Sequence, residues 1–371
     1  MKTYRNEFPV VNNLIYLNHA GVSPIPLRSK NRMCEFITSI NEWGATDFNS
    51  RKEIITSARQ TGAEMLGCKT TEVGFVKSTT HGIILCARGV PFKPGDNVII
   101  PENEFPANVV PWLALRKHGV DIRFVPEKQK RISVDDIKNL ADKNTKVVSV
   151  SFVEFSTGFR NDIKAISEFC HDNSIIFVVD AIQATGLIPY NVKELGVDFM
   201  SMDSHKWLLG PEGIGYFYAN EDSIDKIENI FEGWLSMANF LDFLNYDQPR
   251  KKDASKFEEG SPNFIGLCGM QKSSELLLEA GIENIYNHVQ KLLDYFSEKI
   301  QSKGYEIISP RDSDSERSGI LCFNKPGEFM EEIFKKLSSN NIITALRSGA
   351  IRISPHFYNT LEEIETVIDL L

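Results

Sequence analysis

The sequence predicts an α/β protein: a large domain with a mainly parallel sheet, followed by a smaller C-terminal α+β domain. Three observations support this fold class. Short apolar runs alternate with helical patterns from about residue 60 onward, which is typical of βαβ units. The alternation stops between residues 236 and 256, and two long helical patterns follow it. We therefore expect one domain over residues 16–250 and a second formed by 1–15 together with 251–371.

Seven short apolar runs predict the strands of the large sheet, at 73–76, 97–100, 121–125, 147–152, 175–179, 199–202 and 215–218. The patterns between and after them predict helices, at 82–88, 107–118, 134–141, 163–172 and 222–231. Many of these strands end in a polar residue. Because ligands of open α/β sheets bind at the carboxyl ends of the strands, we expect those polar residues to meet in one cleft.

The C-terminal part predicts a compact α+β unit. Its elements are helices at 264–279 and 282–303, strands at 305–309 and 320–323, a helix at 329–340, a strand at 350–354 and a helix at 361–371.

Composition excludes several classes of function. The formal net charge of -9 argues against nucleic acid as a main partner, because phosphate binding requires a concentrated basic face. The six cysteines form no Cys-x-x-Cys pair and no histidine cluster has metal-ligand spacing, so we expect neither disulfides nor a metal. No apolar run is long enough to span a bilayer. These features favour a protein of the reducing cytoplasm.

One lysine and one aspartate stand where a pyridoxal phosphate enzyme needs them. Lys206 follows the strand at 199–202, and Asp180 ends the strand at 175–179. The lysine amine can form a Schiff base with the cofactor, and the carboxylate can keep the pyridine nitrogen protonated so that the ring accepts electrons. We predict that these two residues are catalytic.

A candidate phosphate site precedes the first predicted helix of the sheet domain. Thr79 and Thr80 lie in a Ser/Thr run between a strand and a helix, where backbone N–H groups can hold an anion. Ser204 and His205, next to the lysine, can add donors. Each feature also has a structural interpretation, since a Ser/Thr run is usually a helix cap and a His-Lys pair is usually solvated. Their joint order at strand ends favours the functional one.

The segment Val179-Asp180-Ala181-Ile182-Gln183-Ala184-Thr185-Gly186, leading to Ser204-His205-Lys206-Trp207, resembles the central motif of the class V aminotransferase family. This family of fold type I pyridoxal phosphate enzymes includes cysteine desulfurases, isopenicillin N epimerase-like proteins and C–S lyases. The resemblance extends from Tyr16 to Thr360 and covers nearly the whole chain. It implies a cofactor bound to Lys206 and a homodimer.

The resemblance also implies roles around the cofactor ring and phosphate. Gln183 would donate to the phenolic oxygen of the ring, and Phe105 would stack on the ring. Thr80 and His205 match phosphate-binding positions. Ser261, in Glu259-Gly260-Ser261-Pro262-Asn263, resembles the residue that reaches the phosphate of the neighbouring subunit.

On the substrate side, Arg352 matches the family's carboxylate-binding arginine, whose planar guanidinium suits a bidentate contact. Residues 16–24 would line the same side, and we expect His19, Ala20 and Gly21 to bind substrate.

Four positions depart from the desulfurase pattern. Desulfurases carry a nucleophilic cysteine shortly before the arginine, whereas residues 343–352 contain none. Desulfurases have a histidine where this chain has Phe105, a residue that can stack but cannot exchange a proton. Asp203 replaces a serine that faces the phosphate, and Glu154 is a candidate for an asparagine near the ring. The roles of Asp203 and Glu154 stay open at this point.

The expected chemistry begins with an α-amino acid substrate that displaces Lys206 to form an external aldimine, followed by loss of the Cα proton to give a quinonoid. Transamination or a related lyase reaction is our first choice, C–S cleavage the next, and epimerisation the last. The same residues support all three. A non-catalytic relative that acts as a binding protein is the alternative from another class.

Overall fold

The computed structural model describes residues 2–371 and contains three sheets. The strands, in chain order, are β1 (Ile15–Tyr16), β2 (Val73–Val76), β3 (Asn97–Pro101), β4 (Asp121–Val125), β5 (Thr145–Ser151), β6 (Ile176–Asp180), β7 (Phe199–Asp203), β8 (Gly215–Ala219), β9 (Glu306–Ile307), β10 (Leu321–Asn324), β11 (Ile342–Ile343), β12 (Ala345–Arg347) and β13 (Ala350–Ile353).

The largest sheet has seven strands in the order β2-β8-β7-β6-β5-β3-β4. Strands β3 to β7 are parallel to one another, and β8 runs antiparallel to both β2 and β7. The predicted fold class, an α/β protein with a mainly parallel sheet, is confirmed. The parallel strands end at one edge, and that edge positions the site.

Helices cover both faces of this sheet, because its central strands are apolar on both sides. Val178 packs into one hydrophobic core and its neighbour Val179 into the other. Such two-sided burial is typical of parallel strands covered by helices. The helices are α1 (Leu27–Trp43), α2 (Phe48–Leu66), α3 (Thr79–Gly89), α4 (Val110–Leu113), α5 (Val134–Leu140), α6 (Ile163–Asp172), α7 (Val192–Leu195), α8 (Phe264–Ala280), α9 (Ile282–Gln301), α10 (Met330–Ser339) and α11 (Leu361–Leu370).

The C-terminal sheet joins the start of the chain to its end. Its four strands are antiparallel, in the order β12-β13-β10-β9. Strand β1 pairs in parallel with β11, and Asn18 forms a bridge with Ser354 just after β13. The N-terminal segment is thereby held against the C-terminal unit.

Two predicted helices are wrong. The helix expected at 107–118 is broken into α4 and two short 3-10 turns, because Pro111 lacks an N–H group and begins a new helix instead of continuing one. The helix expected at 222–231 is only a 3-10 turn at Ile224–Lys226. There the Asn229 side chain bonds to the backbone of Phe231 and Lys256, which competes with helical hydrogen bonds.

Within residues 2–371, the helices all fall short of the length and apolar character needed to cross a membrane.

Candidate active site

The carboxyl ends of β5, β6 and β7 bring the main predicted residues together. Asp180 ends β6 and lies beside Ser151, the last residue of β5, in the parallel register. Lys206 is the third residue after β7, in the turn that leads to β8. All three strands end at one edge, so the lysine and the carboxylate face the same space.

Lys206 is buried, and its Nζ lies 5.4 Å from the centroid of the Phe105 ring. Burial lowers the pKa of Lys206 to about 8, although the nearby carboxylate of Asp180 acts in the opposite direction. Near neutral pH a useful fraction of this amine is therefore unprotonated, which is the form that attacks a carbonyl. Phe105 is 43% exposed, and this leaves ring surface for a planar group.

Asp180 is buried, and its Oδ1 accepts a hydrogen bond of 3.0 Å from the N–H of Ile182. Burial raises the pKa of Asp180 to about 6, against the lowering effects of that hydrogen bond and of the Lys206 charge. The carboxylate is thus ionised at neutral pH. It can pair with a protonated pyridine nitrogen.

The start of α3 offers donors for a phosphate. Ser78 caps the helix by accepting from the N–H of His81, and the Thr79 hydroxyl accepts from the N–H of Asp203 at 3.0 Å. The N–H groups of Thr79 and Thr80 belong to the first turn, where no helical carbonyl is available to them. An anion at this point would also meet the positive end of the helix.

Gln183 connects two segments around the lysine. Its Nε2 donates to the carbonyl of Ala20 at 3.1 Å, and its Oε1 accepts from Trp207 Nε1 at 2.9 Å. Among the described residues, Ala20 is the one acceptor for the Nε2 group, so its second hydrogen can serve a ring oxygen. Sequence reasoning gave Gln183 only the ring contact.

The carboxylate of Asp203, whose role the sequence left open, faces His205. Its Oδ1 accepts from the N–H of Ser204 at 2.7 Å and lies 3.0 Å from His205 Nδ1, without hydrogen-bond alignment. The carboxylate is therefore held by its neighbours. The Ser204 hydroxyl donates to the carbonyl of Pro211. This contact favours a structural role in the turn over the predicted contact of Ser204 with the cofactor.

Arg352 is buried on β13 and faces the site. Its Nη1 donates to the carbonyl of Phe155 at 2.8 Å and its Nη2 to Asn18 Oδ1 at 3.4 Å, whereas Nε is buried without a partner. Burial lowers the pKa of Arg352 to about 10, so the side chain stays charged at neutral pH. A buried guanidinium with an unused donor fits an incoming carboxylate.

Both ring nitrogens of His19 are engaged by the protein, which argues against the substrate contact predicted for this residue. The ring is fully buried, with Nδ1 2.7 Å from the carbonyl of Ser354 and Nε2 2.7 Å from the Tyr358 hydroxyl. Burial lowers the pKa of His19 to about 4. The ring is a neutral part of the core, and both of its nitrogens are already used.

Ala20 and Gly21 shape the turn beside Arg352 through their backbone. The N–H of Ala20 donates to Ser354 Oγ at 3.0 Å, and that of Gly21 to the carbonyl of Asn18 at 3.0 Å. A Cβ on Gly21 would lie 2.7 Å from Asn18 Nδ2, so a side chain there would displace Asn18. Asn18, rather than His19, is the residue of this motif that reaches Arg352, and its polar side chain was the available signal.

Ser261 lies apart from Lys206 in an exposed loop before α8. It lines a cavity of about 200 Å³ together with Lys77 and His81, beside the start of α3.

Two buried carboxyl groups, Glu104 and Glu154, lie behind the Phe105 position. Glu104 accepts from the N–H and hydroxyl of Ser151, and Glu154 accepts from Asn161 Nδ2 at 2.7 Å. Burial raises the pKa of both carboxyls, and their mutual repulsion raises that of Glu154 further. Sequence reasoning missed Glu104 and did not place Glu154.

These residues fit pyridoxal phosphate. They supply a buried amine of lowered pKa, a carboxylate for the pyridine nitrogen, free amides at a helix start and an exposed aromatic face. These four features come from different elements of the described chain.

Comparison with known proteins points to the same chemistry. The family model of the class V aminotransferases matches residues 15–367. A probable cysteine desulfurase of Methanothermobacter thermautotrophicus is 29% identical, over 99% of this chain and 96% of that protein. The uncharacterized aminotransferase YcbU of Bacillus subtilis is 25% identical, over 99% of this chain and 96% of that protein.

Among solved structures, the apo cysteine desulfurase of Thermococcus onnurineus superposes with a TM-score of 0.90 at 25% identity, over 99% of this chain and 96% of that one. The cystine C–S lyase C-DES has a TM-score of 0.89 at 20% identity, over 98% of each chain, and shows the shared fold. The chain therefore belongs to the class V aminotransferase family, and it is a pyridoxal 5′-phosphate-dependent enzyme of the aminotransferase or C–S lyase type.

Proposed function

We propose that the chain transfers the amino group of an α-amino acid, or eliminates a leaving group from its side chain, with Lys206 as the proton carrier. The observation that carries this proposal is the buried Lys206 amine, which lies 5.4 Å from the exposed Phe105 ring and within electrostatic reach of Asp180. When bound, the cofactor supplies an electron sink for the bonds at the substrate Cα.

The proposed roles of the other residues follow from their positions. Asp180 holds the pyridine nitrogen protonated, Gln183 donates to the phenolic oxygen, and Phe105 covers the ring. Thr79, Thr80 and His205 surround the phosphate. Arg352, oriented by Asn18 and the Phe155 carbonyl, holds the substrate carboxylate.

A persulfide route of the desulfurase kind is not favoured. The segment before Arg352 is a tight hairpin without a cysteine. Cys322 lies opposite Arg352 on β10, but burial raises the pKa of Cys322 to about 11, and its Sγ donates to the carbonyl of Ser156. A nucleophilic cysteine needs the reverse, a lowered pKa and access to solvent. Lys206 is then the group available to move protons at Cα.

We also propose a homodimer in which Ser261 reaches the phosphate of the partner subunit. Ser261 is exposed, and the loop beside it carries apolar side chains that are open to solvent in the single chain. Trp234 packs against Gly260 and is 46% exposed, and Leu244 is 84% exposed. Apolar patches of this kind mark interaction surfaces. A cytoplasmic location is proposed with it, supported by six cysteines that are all free of disulfides.

The test uses purified protein, pyridoxal phosphate and a panel of amino acids. Binding to Lys206 should produce an absorbance band near about 420 nm, which Lys206→Ala abolishes. Products are scored separately as keto acid, as pyruvate with ammonia, as sulfide and as loss of optical rotation. Keto acid or ammonia is the expected result. Absence of any Lys206-dependent band would refute the enzyme proposal.

Sulfide formation has its own control. Each of the six cysteines is replaced by alanine in turn, and sulfide release from cysteine is measured. Dominant sulfide release that depends on one cysteine would show that the persulfide route operates. Release that survives all six replacements would support direct C–S cleavage.

A further inference from the structure

The hairpin that precedes Arg352 carries a second arginine. Strands β12 and β13 are joined by Ser348 and Gly349, which have φ values of 48° and 77°. Two successive residues with positive φ form the type I′ turn that closes a two-residue hairpin. Arg347, the last residue of β12, is therefore fixed at the end of a short rigid element.

Arg347 and Arg352 project from the same face of this hairpin. Ala345 lies directly opposite Arg352, and Arg347 lies opposite Ala350. Because residues two apart on a strand point to the same side, Arg347 shares the face of Ala345 and Arg352. Such diagonal neighbours are about 7–8 Å apart. The two alanines between them leave room above the sheet.

Neither arginine has an ion pair with a carboxylate of residues 2–371. Arg347 is exposed, and its Nη1 contacts only the carbonyl of Leu346 at 2.9 Å. Arg352 contacts a carbonyl and an amide. Burial is the main cause of the lowered pKa values of Lys206 and Arg352. The positive charge of Arg347 lowers both pKa values further. The guanidinium of Arg347 thus lies within electrostatic reach of both.

We propose that Arg347 binds a second anionic group of the substrate, so that the enzyme prefers α-amino acids with an acidic side chain. This rests on the proposed function, in which Arg352 holds the α-carboxylate. A four- or five-carbon dicarboxylic acid can bridge the two guanidinium groups, each of which offers a fork of N–H donors. The local positive charge stands out in a protein whose net charge is -9, and it would attract a dianion that the rest of the surface repels.

The test measures ligand binding by calorimetry, with succinate and glutarate as dicarboxylates and butyrate as the monocarboxylate of similar size. The holoenzyme should bind a dicarboxylate about tenfold tighter than butyrate. Arg347→Ala should remove that preference and leave butyrate binding within about twofold. Arg347→Lys, which keeps the charge but loses the fork, should retain part of it.

Arg116→Ala is the matched control. Arg116 is exposed and precedes β4, at the amino-terminal edge of the sheet opposite the site, so its removal changes the net charge equally without touching the hairpin. Equal binding of dicarboxylate and butyrate by the wild-type protein would overturn the proposal. So would equal weakening of both by Arg347→Ala in a variant that retains its melting temperature. If Arg347→Ala fails to fold, Arg347→Lys is tested in its place, by the same comparison of dicarboxylate binding with butyrate binding.

Kinetics separate this inference from the proposed function. With aspartate, glutamate and cysteine sulfinate against alanine and valine, Arg347→Ala should raise KM for the acidic substrates and lower the ratio of their kcat/KM to that of the neutral substrates. A protein that forms the Lys206-dependent band but shows no acidic preference refutes the inference alone. A protein without the band refutes the proposed function, whereas the calorimetric comparison, made on the same protein without cofactor, still reports on the two arginines.

Discussion

Lys206 should capture its cofactor in a pH-dependent way. Burial lowers the pKa of Lys206 to about 8, so the neutral amine falls about tenfold for each pH unit below that value. We expect the rate at which the apoprotein binds pyridoxal phosphate to rise about tenfold between pH 6 and 7, and to level off above pH 8. Stopped-flow absorbance near about 420 nm measures it. A rate that stays flat from pH 6 to 8 would contradict the assignment.

The buried carboxyl of Glu154 should make the apoprotein less stable as pH rises. Burial raises the pKa of Glu154 well above 4.5, so the folded protein favours the neutral acid, and that stabilisation is lost as the carboxyl ionises at higher pH. The melting temperature should fall more from pH 5.5 to 8 in the wild type than in Glu154→Gln. Glu212→Gln, at an exposed position, is the control and should follow the wild type. Parallel curves for all three proteins would exclude the effect.

The sequence was sufficient to predict which residues at the strand ends form the site, but not which hydrogen-bond partners those and nearby residues have. Asp180 and Lys206 followed from order along the chain, because parallel strands bring their ends together. His19 and Asn18 are adjacent in one motif, yet only the pairing of residues near β1 with the C-terminal unit decides which one reaches Arg352. The partner of Ser204 was equally hidden, because its hydroxyl donates to the carbonyl of Pro211, seven residues later in the chain.

At the level of elements, the turn after β6 should be intolerant of a side chain. Gly186 has φ +97°, and a Cβ there would lie 2.5 Å from the carbonyl oxygen of Trp207, next to Lys206. Gly186→Ala should therefore cost more than backbone strain alone, which is of order 1–3 kcal/mol, and should weaken cofactor binding. Unfolding in urea and titration with pyridoxal phosphate measure the two effects.

A second variant, Gly95→Ala, separates the cost of backbone strain from the cost of the contact with Trp207. Gly95 has φ +93°, but a Cβ there would have no atom within 4 Å. This variant should show the strain alone and bind cofactor normally. Equal losses of stability in the two variants would mean that the Trp207 contact contributes nothing.

Elements with strong apolar periodicity were predicted well, and largely solvated or irregular ones were not. The predicted strands at 73–76 and 121–125 have the bounds of β2 and β4. Helices α1 and α2 were missed, and α1 is largely solvated. The failures at 107–118 and 222–231 come from one proline and one asparagine that redirect local hydrogen bonds.

At the level of the whole molecule, the proposed dimer can be tested by mixing subunits. The protein should elute as a dimer in chromatography with light scattering. Ser261→Ala should weaken cofactor binding, and Lys206→Ala should abolish the absorbance band. In a hybrid dimer, the site that contains Lys206 receives Ser261 from its partner, so a pure hybrid should show half of the high-affinity band and an equimolar random mixture about a quarter. Mixtures that show no recovery would indicate that each subunit uses its own Ser261.

The parallel strands at the centre of the large sheet were predictable from the sequence. The antiparallel strand β8 and the pairing of β1 with β11 were not. Nothing in the run at 215–218 distinguished β8, which reverses direction, from the parallel strands beside it. The pairing of β1 with β11 joins residues more than three hundred positions apart and left no local signal. We propose the division into 16–250 and the remaining ends, with residues 15–18 as the strap that connects the two units.

The two-residue turn between β12 and β13 also governs how the enzyme should withstand oxidants. A desulfurase keeps a reactive thiol in this place, whereas here the turn consists of Ser348 and Gly349. Cys322, which lies in the same sheet, is buried, and the exposed Cys34 is on α1. Turnover should therefore survive iodoacetamide or peroxide at doses that inactivate a thiol-dependent relative, and activity should persist in air without a reductant.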